Sequence, residues 1–235
     1  MKFRKKFGLS LSIALAAVIA FPAAGSALTV SQGAYPGRNL EKIVVVDYAN
    51  AKEAAASGKS SGGYKLTGYR LDLAKNSCYL NSSSPAGALS AIKEATIEWD
   101  SATSAELFGN VNTSSTAKYG VLDKQNSIEF GMYSGSSGVI AVTAYWVDRT
   151  TKTIVEFDML YNTYYDWGDA TKDGSKVMDI QNIATHEFGH AFGLADIYSG
   201  AYSKVTMYGY SNFGETSKRD LEPQDIAGIQ KIYGK

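Results

Sequence analysis

The stretch HEFGHAFGLAD at residues 186–196 holds both histidines of the chain, His186 and His190, four positions apart, with Glu187 directly after the first. Helical residues four apart share a face, so the two imidazoles can present their rings to one metal ion, while Glu187 stands about 100° around the axis. That offset suits a carboxylate that reaches a water on the metal without ligating the metal. The pattern is H-E-x-x-H, and its mechanics are those of a zinc hydrolase. Two histidines scattered at random in such a chain fall four apart about one time in a hundred, before the glutamate is asked for, so coincidence is a poor rival.

A catalytic zinc site takes three protein ligands and leaves one position open. No histidine remains for the third ligand, and the single cysteine, Cys78, lies far upstream. An oxygen donor is therefore needed. Asp196 is the nearest downstream carboxylate, and Gly193 between it and His190 makes that position usable. A glycine can adopt positive φ, end the helix and turn the next residues back toward the ion. Glu215 and Glu222 stay open as alternatives, since a glutamate on a later helix completes the site in thermolysin-like enzymes.

With the spacing H-E-x-x-H-x-x-G-x-x-D on the page, the stretch resembles the zinc-binding consensus of the metzincins, in the form with a third-ligand aspartate seen in the snapalysin-like branch. VTMYGY at 205–210 is similar to the Met-turn, with Met207 as the methionine beneath the zinc, and LEPQDIAGIQKIYG resembles the closing helix of matrixins. The resemblance implies an α+β zincin fold: a twisted mixed β-sheet, an active-site helix, and a small C-terminal subdomain closed by the Met-turn and a final helix. It also implies zinc held by His186, His190 and Asp196, and a metal-activated water that attacks a peptide bond with Glu187 as general base. An edge strand above the cleft, by position Val139 to Val147, would pair with an extended peptide. Tyr208 follows the methionine as in matrixins; Gly209 stands where astacins and serralysins place a ligand tyrosine, and Tyr210 reads as packing or pocket lining. Two departures stand out. Two histidines cannot also build the second, structural zinc of matrixins, and Cys78 lacks the flanking pattern of their latency cysteine, so it reads as a buried structural residue.

The chain has 235 residues, 45% of them hydrophobic, enough for one buried core and short for two. Four cations in the first six residues, an apolar run from Leu9 to Phe21 and a small-residue cluster give residues 1–27 the pattern of a secretory signal peptide. Its removal deletes Lys2, Arg4, Lys5 and Lys6 and no acid, leaving 19 cations against 23 acids, a mature charge of −4. A weakly acidic product argues against nucleic acid as a partner. The expected product is a secreted monomer, free of the membrane once the signal is gone. One cysteine excludes an intramolecular disulfide.

Residues 28–63 read as an N-terminal extension or short pro-segment, with one strand-like run, KIVVVDYA, and a Gly/Ser-rich linker at 57–63. Residues 64–235 read as the catalytic domain. There YKLTGYRLDL alternates as a strand, and strands are predicted near 127–133, 139–147 and 153–161, the last two joined by a hairpin through DRTTKT. One helix places Ala88, Ile92, Ala95 and Trp99 on a face, with Ser84 as cap and Pro85 in its first turn. A second follows Asp179 and stops near Gly193. A third has Pro223 in its first turn and turns Ile226, Ile229 and Ile232 to the core. Asp169, Thr171, Asp173 and Gly174 alternate like a calcium loop but lack a closing acid at Ile180, so Ca2+ is a weaker expectation than Zn2+.

The reading is a secreted zinc endopeptidase acting on peptide or protein substrates. Its rivals are a non-catalytic extracellular binding or adhesive protein on the same scaffold, and a zinc amidase with a non-peptide substrate.

Overall fold

Val139–Asp148 and Thr153–Asn162 are rich in β-branched and aromatic residues; the first reads as a nearly continuous apolar run, as strands covered on both faces do, and the second is interrupted by the buried Glu156 and Asp158. They form the antiparallel hairpin at the centre of the molecule. The computed structural model describes residues 28–29, 35–49, 62–133 and 138–235. Residues 1–27 and most of the linker lie outside the described residues, and no helix among the described residues is long and apolar enough to cross a membrane.

In chain order the strands are β1 (Leu28–Thr29), β2 (Leu40–Ala49), β3 (Arg70–Leu71), β4 (Cys78–Asn81), β5 (Val111–Ser114), β6 (Asn126–Gly131), β7 (Val139–Asp148), β8 (Thr153–Asn162), β9 (Trp167–Gly168), β10 (Met178–Asp179) and β11 (Tyr210–Ser211). The α-helices are α1 (Ala88–Ser101), α2 (Ala170–Asp173), α3 (Ile180–Ala191) and α4 (Pro223–Tyr233). The main sheet runs β1-β2-β7-β8-β6-β4-β5. β5, β4, β6 and β8 are mutually parallel, and β7 is antiparallel to both β8 and β2. This is the expected mixed sheet.

Helices α1 and α3 pack on one face of that sheet. Phe188 of α3 meets Phe157 of β8 and Phe108 edge-on, with ring centroids 6.2 and 5.1 Å away, and the Trp99 indole of α1 donates to the Thr185 carbonyl at 2.8 Å. The other face is closed by Tyr35, Leu40, Trp146 and Val155, with Leu122 beside them. Cys78 is fully buried in the main core, and burial pushes its thiol well above the usual range, so it is an inert packing group.

Two expectations need correction. YKLTGYRLDL yields only a bridge from Leu66 to Leu194 and the two-residue β3, because Gly68 at φ +84 interrupts the extended run. Ser84 does not cap α1: its hydroxyl donates to the Asn81 carbonyl at 2.6 Å, and the helix starts after Gly87 at φ +82. The short, partly polar β4 and β5 carried no alternation strong enough to be foreseen.

The metal-motif helix α3 begins as predicted. The Asp179 carboxylate accepts from Asn182 N and from Ala170 N, each at 2.8 Å, and Arg219 donates to it through both Nε and Nη2. Asp179 is buried, so removing it loses the cap and strands part of a guanidinium. Asp179→Ala is expected to lower the unfolding free energy by about 3–5 kcal/mol. Urea denaturation followed by tryptophan fluorescence measures this; a loss below about 1 kcal/mol would show that Asp169 alone can satisfy Arg219.

Candidate metal centre

Each imidazole on α3 is fixed by a carbonyl from outside the helix. His186 Nδ1 lies 2.7 Å from the Thr206 carbonyl oxygen and His190 Nδ1 lies 3.1 Å from that of Leu194. Each ring therefore carries its hydrogen on Nδ1 and keeps Nε2 free for a metal. After His190 the chain breaks at Gly193, whose φ is +103, and a Cβ there would sit 2.2 Å from the Tyr69 carbonyl oxygen. Only glycine fits both demands. The turn carries Asp196 back, so that its Oδ1 stands 3.3 Å from each Nε2.

These three atoms lie within 4.8 Å of one another. All are buried and none has a hydrogen-bond partner. Orphaned buried polar atoms cost roughly 1–3 kcal/mol each, so their convergence calls for a shared cation. Two imidazole nitrogens and one carboxylate oxygen are the donor set of a three-ligand zinc site, and the residues present fit that ion. Burial would raise the Asp196 carboxyl, but the facing imidazoles hold it well below the usual carboxylate range. Burial works against a charged His190, yet Asp196 lifts its pKa to about 9, drawing a proton to the place a cation would take.

Glu187 stands beside the trio. Its Oε2 accepts the Thr143 hydroxyl from β7, while Oε1 is buried without a partner. Burial pushes its carboxyl up to about 7, against the lowering influence of the two histidines. Below α3, Met207 lies so close to Gly189 that a Cβ at 189 would stand 2.1 Å from the methionine sulfur. The Met207 turn is held by the buried Asp225 carboxylate, which accepts from Thr206 N at 2.8 Å and Met207 N at 3.2 Å.

The fold thus brings together His186, Glu187, His190 and Asp196. Glu215 accepts from Asn212 N and the Ser217 hydroxyl, Glu222 caps α4, and neither is in a metal-competent group among the described residues. In the loop considered for calcium, Asp169 is tied to Lys172 and Arg219, and Asp173 accepts from Asp169 N. Tyr210 packs against Tyr198 and Tyr208 at 5.3 and 5.4 Å between ring centroids.

Sequence reasoning missed Thr143, and Tyr198, whose hydroxyl donates to Asp196 Oδ2 at 2.9 Å. It also missed Asp47, which forms a second metal-competent group with His186 and Glu187, and Lys218, whose ammonium is buried on the Tyr208 and Tyr210 carbonyls and the Ser211 hydroxyl. Tyr198, two residues past the aspartate, was the one with a local signal. The strand expected at the edge is not one: β7 has β8 on one side and β2 on the other.

Residues 72–234 match the family model of matrixin, Peptidase_M10. The chain is 39% identical over 70 residues to matrix metalloproteinase-19 of Mus musculus, an alignment covering 29% of this chain and 12% of that protein. It is 30% identical over 117 residues to the hatching enzyme of Paracentrotus lividus, covering 50% and 17%. To the neutrophil collagenase of Homo sapiens it is 36% identical over 73 residues, covering 31% and 15%. The chain therefore spans less than a fifth of the length of these relatives.

Proposed function

Because the chain belongs to the matrixin family, we propose that it is an exported zinc-dependent endopeptidase, with His186, His190 and Asp196 as the metal ligands and Glu187 as the general base. The observation that carries the reading is the convergence of three buried, unpartnered donor atoms within 4.8 Å, with a carboxylate beside them. Zinc, when bound, supplies Lewis acidity toward a water and the scissile carbonyl.

The chain's own residues do the rest. The Thr206 and Leu194 carbonyls hold the two rings in the tautomer that offers Nε2. The Thr143 hydroxyl engages one oxygen of Glu187 and leaves Oε1 to take a proton from the attacking water and return it to the leaving nitrogen. Export rests on the signal-like N-terminus, and an extended peptide or protein is the substrate class.

The test is incubation with denatured protein, with and without a chelator. It is run on the full chain and on protein cut at a site-specific peptidase sequence inserted between Ala56 and Ser57. Internal cleavage that vanishes with chelator and returns with zinc is expected. Binding without cleavage in both forms would favour an adhesive scaffold, and inertness toward every peptide would favour a non-peptide amidase.

A further inference from the structure

In β2 the apolar residues Ile43 to Val46 are only half buried, while the strand's aspartate, Asp47, is 1% exposed. That inverts the ordinary rule, in which the acid faces water. Both Asp47 oxygens are buried and neither has a hydrogen-bond partner. An ionised carboxylate is not kept that way without a cation close by. Its donor oxygen lies within 4.8 Å of a ring nitrogen of His186 and a carboxylate oxygen of Glu187.

The strand that carries Asp47 is laid across the centre. Along nearly its whole length β2 pairs antiparallel with β7, from Leu40 opposite Asp148 to Tyr48 opposite Val139, and its last two residues pair in parallel with β11, Tyr48 with Tyr210 and Ala49 with Ser211. β7 supplies the Thr143 that holds Glu187, and β11 follows the Met207 turn, so β2 is an extended peptide clamped between the two walls of the centre. Between Asp47 and Tyr48 the register slips, with Ile140 the extra residue on β7. Such a bulge re-aims the side chain beside it. Ile43, Val45 and Ala49 on the same face as Asp47 pack against the main core. His186, Glu187 and His190 are left with no exposed surface.

Charge supports the same arrangement. Asp47, Glu187 and Asp196 are three buried carboxylates, and Lys218 is the buried cation near Asp47. Three carboxylates gathered beside two imidazoles, with one ammonium nearby, make surroundings that suit a divalent cation.

Building on the peptidase reading, we propose that β2 is a built-in inhibitor, lying where a substrate peptide would lie and presenting the Asp47 carboxylate to the metal. The full chain is then latent, and activity requires β2 to leave. A substrate takes over its hydrogen bonds to β7 by strand addition.

The test uses the full chain loaded with Co2+, with Asp47→Asn as the near-isosteric variant. Loss of a carboxylate ligand is expected to shift the visible d–d absorption of the bound cobalt. Hydrolysis of a quenched-fluorescent peptide by the zinc-loaded variant is expected to rise at least tenfold above the uncut parent. Should Asp47→Asn fail to fold, the parent cut between Ala56 and Ser57 and freed of its N-terminal piece by gel filtration must show the same spectral shift and gain. An unchanged cobalt spectrum, together with equal turnover before and after release, overturns the proposal and leaves the peptidase reading intact. A spectral shift without hydrolysis in any form overturns the peptidase reading and leaves the metal contact of Asp47 standing.

Discussion

Glu187→Ala, assayed after β2 has been cut away, is expected to keep its zinc and lose about 10²–10⁴-fold in kcat for peptide hydrolysis, the range that a positioned general acid–base contributes. Metal retention follows from geometry: the variant leaves the two Nε2 atoms in place, each 3.3 Å from Asp196 Oδ1. The loss falls on kcat because Glu187 Oε1 is a buried, unpartnered proton acceptor, and alanine offers nothing at that point. Folding should survive, because the change removes a carboxylate whose burial is itself costly and leaves only the Thr143 hydroxyl without its acceptor. Zinc content by atomic emission and single-turnover rates separate the two effects. Turnover within tenfold of the parent at full zinc occupancy would remove Glu187 from the proton path, whereas loss of zinc would make it a ligand.

The parts of this centre that follow from local backbone rules could be read from the residues. His186 and His190 share a face because they are four apart, Asp179 caps because it precedes an apolar-periodic run, and Gly193 breaks the helix because nothing else tolerates φ +103 against the Tyr69 carbonyl. The parts that depend on which strand lands beside which could not. KIVVVDYA was legible as a strand, but not as one seated on β7, since its pairing spans about a hundred residues of chain and no short-range signal sets that register. Nothing local therefore marked Asp47 as a buried acid. Thr143 was hidden for the same reason, because its partner Glu187 lies 44 residues away and one threonine in an apolar run carries no mark of function. β4 and β5 failed to show because four residues with polar neighbours do not establish a period.

The ligand assignment makes the sharpest demand on metal affinity. Asp196→Ala leaves two neutral imidazoles and no charged donor in the trio, so zinc affinity is expected to fall by more than the ~10–100-fold that loss of an outer-shell partner costs. Tyr198→Phe supplies that milder reference within the same site, because it removes only the hydroxyl bonded to Asp196 Oδ2 at 2.9 Å and keeps the carboxylate. Competition with a chromophoric chelator should rank parent, then Tyr198→Phe, then Asp196→Ala, with the last below one zinc per chain at micromolar metal. The fold should persist, since Asp196 lies beyond the end of α3 and the core beneath it is packed by Phe188, Phe192 and Trp99. Full zinc occupancy in Asp196→Ala, in a chain from which β2 has been removed so that Asp47 cannot substitute, would sink the assignment. It would send the search to Glu215 and Glu222, whose carboxylates would first have to give up the Asn212 and Asp225 backbone contacts that now hold them.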